Sequence, residues 1–251
     1  MVKLGIVQTI SYSSNLQALK NISRIIKSLG RSETDIVTLP EQWLQNNRIS
    51  DFEQEFDIFK TFARDYSMTI IPGAFYERKQ YRFVISAPVI GPNGEIIGVQ
   101  EKIHPFDYEQ KLISPGRETK VFKTKCKFGI IICYDMVFSD VANSLVKKGA
   151  EILVSPSRIV RRGIHPWQLY VQVRALENRI PILASNVENY RFGGKSIIVD
   201  LTENDGIIIP RIVSELKGEK SKIREFDLNK YKKAGRLDSQ IVENFLNYSL
   251  L

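Results

Sequence analysis

One pattern constrains the fold of this chain more than any other, because it occurs twice. Residues 3–8 read KLGIVQ and residues 127–132 read KFGIII. Each is followed by a helical pattern and then by a short apolar run ending in proline, DIVTLP at 35–40 and EILVSP at 151–156. Short apolar runs bounded by turn residues and set beside amphipathic helices are buried strands. Strands alternate with helices in two similar halves, with no linker-like stretch between them. That predicts one α/β domain over 1–251, made of two packed sheets with helices outside. A chain of 251 residues is long enough to bury a sizeable core.

The local signals give provisional boundaries. Ser14, with Gln17 three residues on, has capping-box spacing. Leu16, Leu19, Ile22, Ile25, Ile26 and Leu29 follow at helical intervals, and Gly30 is the expected stop. Ser50 with Glu53 predicts a second start, and Phe52, Phe56, Phe59, Phe62 and Tyr66 share one face behind it. MTIIPGAFY at 68–76 reads as a strand. FVISAPVI and EIIGVQEK flank GPNG at 91–94, a hairpin signal. In the second half Ser139 is the expected helix cap and Gly149 the stop. A further helix over about Pro166 to Arg179 leads into IPILASN. Strands KSIIVDL, GIIIPRIV and KIREFDL follow, with helical character from about Leu228 and a break near Gly235.

Composition removes several function classes. The net charge is +8, but the excess is spread out. A nucleic-acid binder would show a continuous basic face with interleaved aromatics, so no nucleic-acid partner is expected. No apolar run reaches bilayer length. The N-terminus is a strand pattern rather than a signal segment, so a cytoplasmic protein without membrane contact is expected. Two cysteines, Cys126 and Cys133, make no disulfide framework. With two histidines in all, the usual metal ligands are too few for a metal site. Neither a G-x-G-x-x-G after a strand nor a G-x-x-x-x-G-K-[ST] occurs.

Three polar groups remain at predicted strand ends: Glu41 after DIVTLP, Lys102 after EIIGVQE and Cys133 after KFGIII. Strand ends are where open α/β sheets carry chemistry. Taken singly, each has a plain structural role: a cap, a solvated lysine, a small core thiol.

Taken together, LPEQW at 39–43, EKIHPFD at 101–107 and ICYD at 132–135 resemble the three signature blocks of the nitrilase superfamily of carbon–nitrogen hydrolases, in order and in spacing. The similarity continues through YEQKLISPG at 108–116, RALENRIPILASN at 174–186 and GGKSIIVD at 193–200. The resemblance implies a four-layer α-β-β-α sandwich with a cysteine nucleophile and no metal or organic cofactor. It aligns Cys133 with the nucleophile, Glu41 with the general base, Lys102 with the catalytic lysine and Glu109 with the second glutamate. An oxyanion would then face the Lys102 ammonium and the Tyr134 backbone N–H. Ser157 and Arg158, after EILVSP, are candidate substrate contacts beside Tyr134.

The implied reaction is hydrolysis of a small amide or N-carbamoyl compound through a thioester. Nitrile hydrolysis and an inactive binding protein on the same scaffold are the alternatives. A cysteine protease would need a histidine beside the thiol, and His104 and His165 are the only candidates. The resemblance also implies a homodimer or larger assembly, for which IVENFLNYSLL at 241–251 is the candidate segment. The chain departs from the family pattern after the nucleophile. Val137, Ser139 and Asp140 stand where Arg, Pro and Glu are usual, and Val84 and Ile85 replace a Y-N pair. Arg158, Arg161 and Arg162 enrich a segment that usually lines the substrate, where one of them could pair with a carboxylate.

Overall fold

The two copies of the repeated unit lie in different sheets. The computed structural model describes residues 1–80 and 82–233. The first sheet contains β1 (Val2–Gln8), β2 (Ile36–Thr38), β3 (Arg48–Ile49), β4 (Thr69–Ile71), β5 (Phe75–Lys79), β6 (Arg82–Ile90) and β7 (Ile96–Glu101). The second contains β8 (Val121–Lys123), β9 (Lys127–Ile130), β10 (Ile152–Pro156), β11 (Ile182–Ser185), β12 (Ile197–Asn204) and β13 (Ile207–Glu215). The last strand, β14 (Lys220–Phe226), returns to the first sheet and pairs antiparallel with β1. The strand order is β14-β1-β2-β4-β6-β5-β3, with β7 on β6, in one sheet and β13-β12-β11-β10-β9-β8 in the other.

The repeat is visible in the pairing. Strands β1, β2 and β4 run parallel, as do β9, β10 and β11. Parallel strands need crossovers, which place helices on the outer faces. The helices are α1 (Asn15–Arg31), α2 (Phe52–Glu55), α3 (Asp57–Asp65), α4 (Ser139–Lys147), α5 (Ile164–Asn178) and a short α6 (Asn229–Lys233).

Two buried clusters define the layers. One joins Ile22 and Ile26 of α1 and Phe59 and Phe62 of α3 to Val7, Val37 and Ile70 of the first sheet. The other runs from Leu4, Ile36 and Ile85 through Ile130, Leu153 and Leu183 of the second sheet to Leu145 of α4 and Val171 of α5. The result is the four-layer α-β-β-α sandwich. Each fully buried Phe or Ile contributes about 1.5–3 kcal/mol of transfer free energy.

Several boundaries differ from the local reading, each for a tertiary reason. Ser14 does cap α1, accepting from the Gln17 N–H, but the Gln17 carboxamide reaches back to Ser13. Gly30 lies inside α1 rather than ending it. A Cβ there would sit 2.4 Å from the Tyr66 ring, so the glycine permits close packing of α1 on the α3 terminus. The second helical start is capped by Asp51, not Ser50, through bonds from the Glu53 and Gln54 N–H groups. MTIIPGAFY is two strands, β4 and β5, broken at Pro72–Gly73. α4 begins at Ser139 itself, with no side-chain cap on Phe138. α5 starts two residues before Pro166. The segment 241–251 lies outside the described residues.

Candidate active site

The break between β4 and β5 positions Glu41. Gly73 takes φ +119°, and a Cβ there would lie 2.2 Å from the Pro40 carbonyl oxygen. Only glycine allows that approach. The Gln42 N–H then donates to the Ala74 carbonyl at 2.9 Å, and the Trp43 indole N–H to the Pro72 carbonyl at 2.7 Å. From the other sheet, the Ser157 carbonyl accepts the Glu41 N–H at 3.3 Å. The Glu41 carboxylate is thereby fixed at the seam between the two sheets.

Lys102 leaves the end of β7. Its N–H donates to the Ile85 carbonyl at 2.8 Å, and its own carbonyl accepts the Gly116 N–H at 2.7 Å. Its side chain is 0% exposed, with Nζ 2.9 Å from Glu41 Oε1 and 2.8 Å from Glu109 Oε2. Burial acts to discharge this ammonium, but the charges of Glu41 and Glu109 and the hydrogen bond to Glu109 oppose it, and its pKa is held well above the ordinary lysine value. Glu109 sits on the 3-10 turn Asp107–Lys111, where its Oε2 also accepts the Phe106 N–H at 2.8 Å. Burial and then the neighbouring Glu41 charge raise the Glu109 pKa, against the opposing pull of Lys102.

Cys133 opens the 3-10 turn Cys133–Val137 with φ +48°, in the left-handed region. A non-glycine residue there costs about 1–2 kcal/mol and persists where the surroundings demand it. Burial raises the thiol pKa first and the Glu41 charge second, while Lys102 and a hydrogen bond from the Arg158 backbone N–H oppose them. The thiol also hydrogen-bonds Glu41. The Tyr134 N–H, in the first turn of a helix, has no intrahelical acceptor.

Asp135 anchors this turn. Its carboxylate accepts the N–H groups of Ile103, His104 and Ile132, so the Lys102 exit and the Cys133 turn share one anchor. His104 sets Nδ1 3.1 Å from Asp135 and Nε2 3.4 Å from Asp140, and stacks on Phe138 at 3.9 Å. It serves this network and is no partner of a protease type for the thiol. From α5, Arg174 donates to the Met136 carbonyl at 3.2 Å and to the Val137 carbonyl at 2.8 Å, while pairing with Glu177 at 2.6 Å. The turn has valine at 137, and the cation that holds its carbonyls comes from α5. Val137 itself lines the cavity. Asp135 and Arg174 lie in quoted blocks, and their polar character there was the available signal. Their roles depend on partners 31 and 38 residues away.

These groups floor a cavity of about 260 Å³ whose lining includes Glu41, Lys102, Glu109, Cys133, Tyr134 and Arg158. Ser157 is not brought to it. Ser157 is fully buried, with its hydroxyl 3.1 Å from that of Ser155, and it contributes its carbonyl to Glu41 instead. Arg161 donates to the carbonyls of Asn189 and Tyr190, and Arg162 is exposed away from the lining. Among the described residues, no group of three or more His, Cys, Asp or Glu is placed to hold a metal ion, and no helix is long and apolar enough to cross a membrane.

Comparison with known proteins agrees with this geometry. The carbon-nitrogen hydrolase family matches residues 3–233. An omega-amidase of Xenopus laevis is 27% identical over 203 residues, covering 73% of this chain and 74% of its own. The citrullinase of Francisella tularensis is 30% identical over 211 residues, covering 74% and 73%. Among solved structures, a carbon-nitrogen hydrolase from Helicobacter pylori G27 superposes with a TM-score of 0.82 at 21% identity, over 96% of this chain and 94% of its own. An amidase from Nesterenkonia sp. AN1, with the acetamide moiety of fluoroacetamide added at its active-site cysteine, gives 0.78 at 16% identity over 98% and 97%. With the family model matched from residue 3 to residue 233, the chain belongs to the carbon–nitrogen hydrolase family.

Proposed function

We propose that this protein hydrolyses the C–N bond of small amides or N-carbamoyl compounds through a thioester on Cys133. One observation carries the reading. Glu41, Lys102, Glu109 and Cys133 come from four separate segments and meet at the floor of one cavity.

The chemistry follows from the charges. The Cys133 thiol is held protonated by burial and by Glu41, so a standing thiolate is not the nucleophile. Glu41 takes the thiol proton as Sγ attacks the amide carbon. The electron pair of the C=O moves to oxygen, where the Lys102 ammonium and the Tyr134 N–H stabilise it. The tetrahedral species collapses, the C–N bond breaks, and Glu41 returns its proton to the departing nitrogen. Ammonia or an amine leaves. A water molecule then attacks the thioester, giving its proton to Glu41, and the acid departs as the thiol re-forms. Glu109 holds Lys102 in place and keeps it charged throughout.

Intact mass after incubation with a panel of short amides, quenched in acid, tests this. The expected result is an acyl adduct that maps to Cys133, with ammonia released in proportion to turnover. Equal turnover by wild type and Cys133→Ala would remove the thiol from the mechanism. Nitriles belong in the same panel, since the same site could process them. Self-association into a dimer or larger assembly is part of the proposal on the strength of the resemblance, and sedimentation equilibrium measures it.

A further inference from the structure

We propose that the two halves of the internal repeat are stapled together at equivalent positions, Gln42 and Arg158, and that Gln42 is the positioning residue that holds the base Glu41 on the Cys133 thiol. The inference rests on the reaction proposed above and adds a residue to its machinery.

The repeat supplies the first observation. Aligning DIVTLP with EILVSP and continuing for two residues sets Glu41 opposite Ser157 and Gln42 opposite Arg158. Both equivalent pairs touch across the seam between the sheets. The Glu41 N–H donates to the Ser157 carbonyl, and the Arg158 guanidinium donates to the Gln42 carboxamide oxygen over a separation of 116 residues. One tie is made by backbone and the next by side chains. The segment that carries the base therefore cannot slide along its counterpart without breaking both.

The second tie leads back to the sulfur. The Arg158 backbone N–H bonds the Cys133 thiol, and so does Glu41. The contacts close a ring: thiol to Glu41, Glu41 through the chain to Gln42, Gln42 to Arg158, and Arg158 to the thiol. In a closed ring the gap between carboxylate and sulfur is set by the other links. Proton transfer to Glu41 needs that gap at hydrogen-bond length. The guanidinium is also held from its far side, 4.8 Å over the Phe192 ring, which aims it at Gln42.

The backbone gives an independent signal. Gln42 is 4% exposed and takes φ +47°, in the same left-handed region as Cys133 at φ +48°. Glycine and asparagine adopt that region more readily than glutamine. A turn selected for folding alone would carry one of them. What glutamine adds is reach, since its carboxamide oxygen meets the guanidinium, whereas asparagine is one methylene shorter. Strain kept beside a reacting group is part of the site's geometry.

Alkylation of Cys133 by chloroacetamide tests the staple with a neutral probe. Sγ displaces chloride from the probe's methylene carbon while the thiol proton passes to Glu41, so the rate at saturation, kinact, reads the fit of base to thiol. Gln42→Asn and Gln42→Gly both suit the left-handed backbone and both lose the tie. Each is expected to unfold at or above the wild-type temperature, and to lower kinact at least about tenfold, the scale of a displaced catalytic group, with KI within about twofold. Arg158→Met should cause a similar loss of kinact. Gln42→Asn combined with Arg158→Met should lose no more than either alone, because two halves of one tie are not additive. Wild-type kinact in the folded Gln42 variants, or losses that multiply in the double variant, would overturn the inference. Wild-type protein that leaves Cys133 unlabelled would overturn the proposed reaction instead.

Discussion

The two cysteines flank one strand and show what burial does and does not determine. Cys126 precedes β9 and Cys133 follows it, with 7% and 9% exposure. Both thiols are pushed up by burial, Cys126 to about 12 with small additions from Glu151 and Asp35. By exposure and titration alone they are the same kind of residue. They differ in their neighbours. Cys126 packs among apolar residues of the inter-sheet core. Cys133 has a carboxylate, an ammonium and a backbone N–H converging on it, and a left-handed backbone that turns it toward a cavity. Under the proposed mechanism, the reactive thiol is the one with a base in contact, not one with a low resting pKa.

Substituting each thiol breaks the comparison most sharply. Cys133→Ala should lower kcat by at least about 10⁴-fold, the scale of losing a covalent nucleophile. Cys126→Ala should leave turnover within about twofold, because a small buried hydrophobe is replaced by another. Comparable losses in both would mean the difference in neighbours is irrelevant to activity.

The next largest effect belongs to the cation that only Cys133 has. Lys102→Met should lower kcat by about 10²–10³ with little change in KM, since the ammonium acts where charge develops. It should also cost about 3–5 kcal/mol in urea unfolding, because Glu41 and Glu109 are left buried without their partner. A rise in KM alone would remove Lys102 from the oxyanion role.

The turn beneath Cys133 gives a smaller effect. Arg174→Leu removes two hydrogen bonds to the carbonyls of Met136 and Val137, which are worth about 1–3 kcal/mol when buried acceptors lose a charged donor. Thermal unfolding should show that loss, and kcat should fall about tenfold as the nucleophile loses its fixed geometry. Unchanged kcat in a destabilised variant would make Arg174 a purely structural support.

The smallest effect is a pH dependence. Hydrogen bonding to Asp135 raises the His104 pKa, burial opposes it, and the charges of Asp135 and Asp140 add to the rise. The folded state therefore holds this proton more tightly than the unfolded state. The contribution is complete below the unfolded histidine value of about 6.5 and is lost as pH rises through the higher folded value. Stability should fall with rising pH across that window, and His104→Gln should flatten the slope. A slope of opposite sign would mean that the imidazole is neutral in the folded protein.

The candidate site was legible to a limited depth. Glu41, Lys102, Glu109 and Cys133 were identifiable because each lies in a short block whose order and spacing are distinctive. Arg158 was named as a candidate substrate contact from among three arginines of its segment, and of the three it is the one that lines the cavity. Ser157 looked equivalent to its neighbour, yet it points into the core. Asp135, His104 and Arg174 join segments more than thirty residues apart, and no local pattern reports such pairs.

The fold divides in the same way. The sequence by itself determined the alternation of strands and helices, the internal repeat and the capped start of α1, because periodicity and capping act within a few residues. Tertiary structure decided where Gly30 was needed, that β4 and β5 separate at Gly73, and that β14 returns to pair with β1. It also decided the site's chemistry. Glu41 and Lys102 are 61 residues apart in the chain and 2.9 Å apart in space; both leave strands of the first sheet, and the packing of the second sheet on it brings Cys133 to them and excludes the water that would screen their charges.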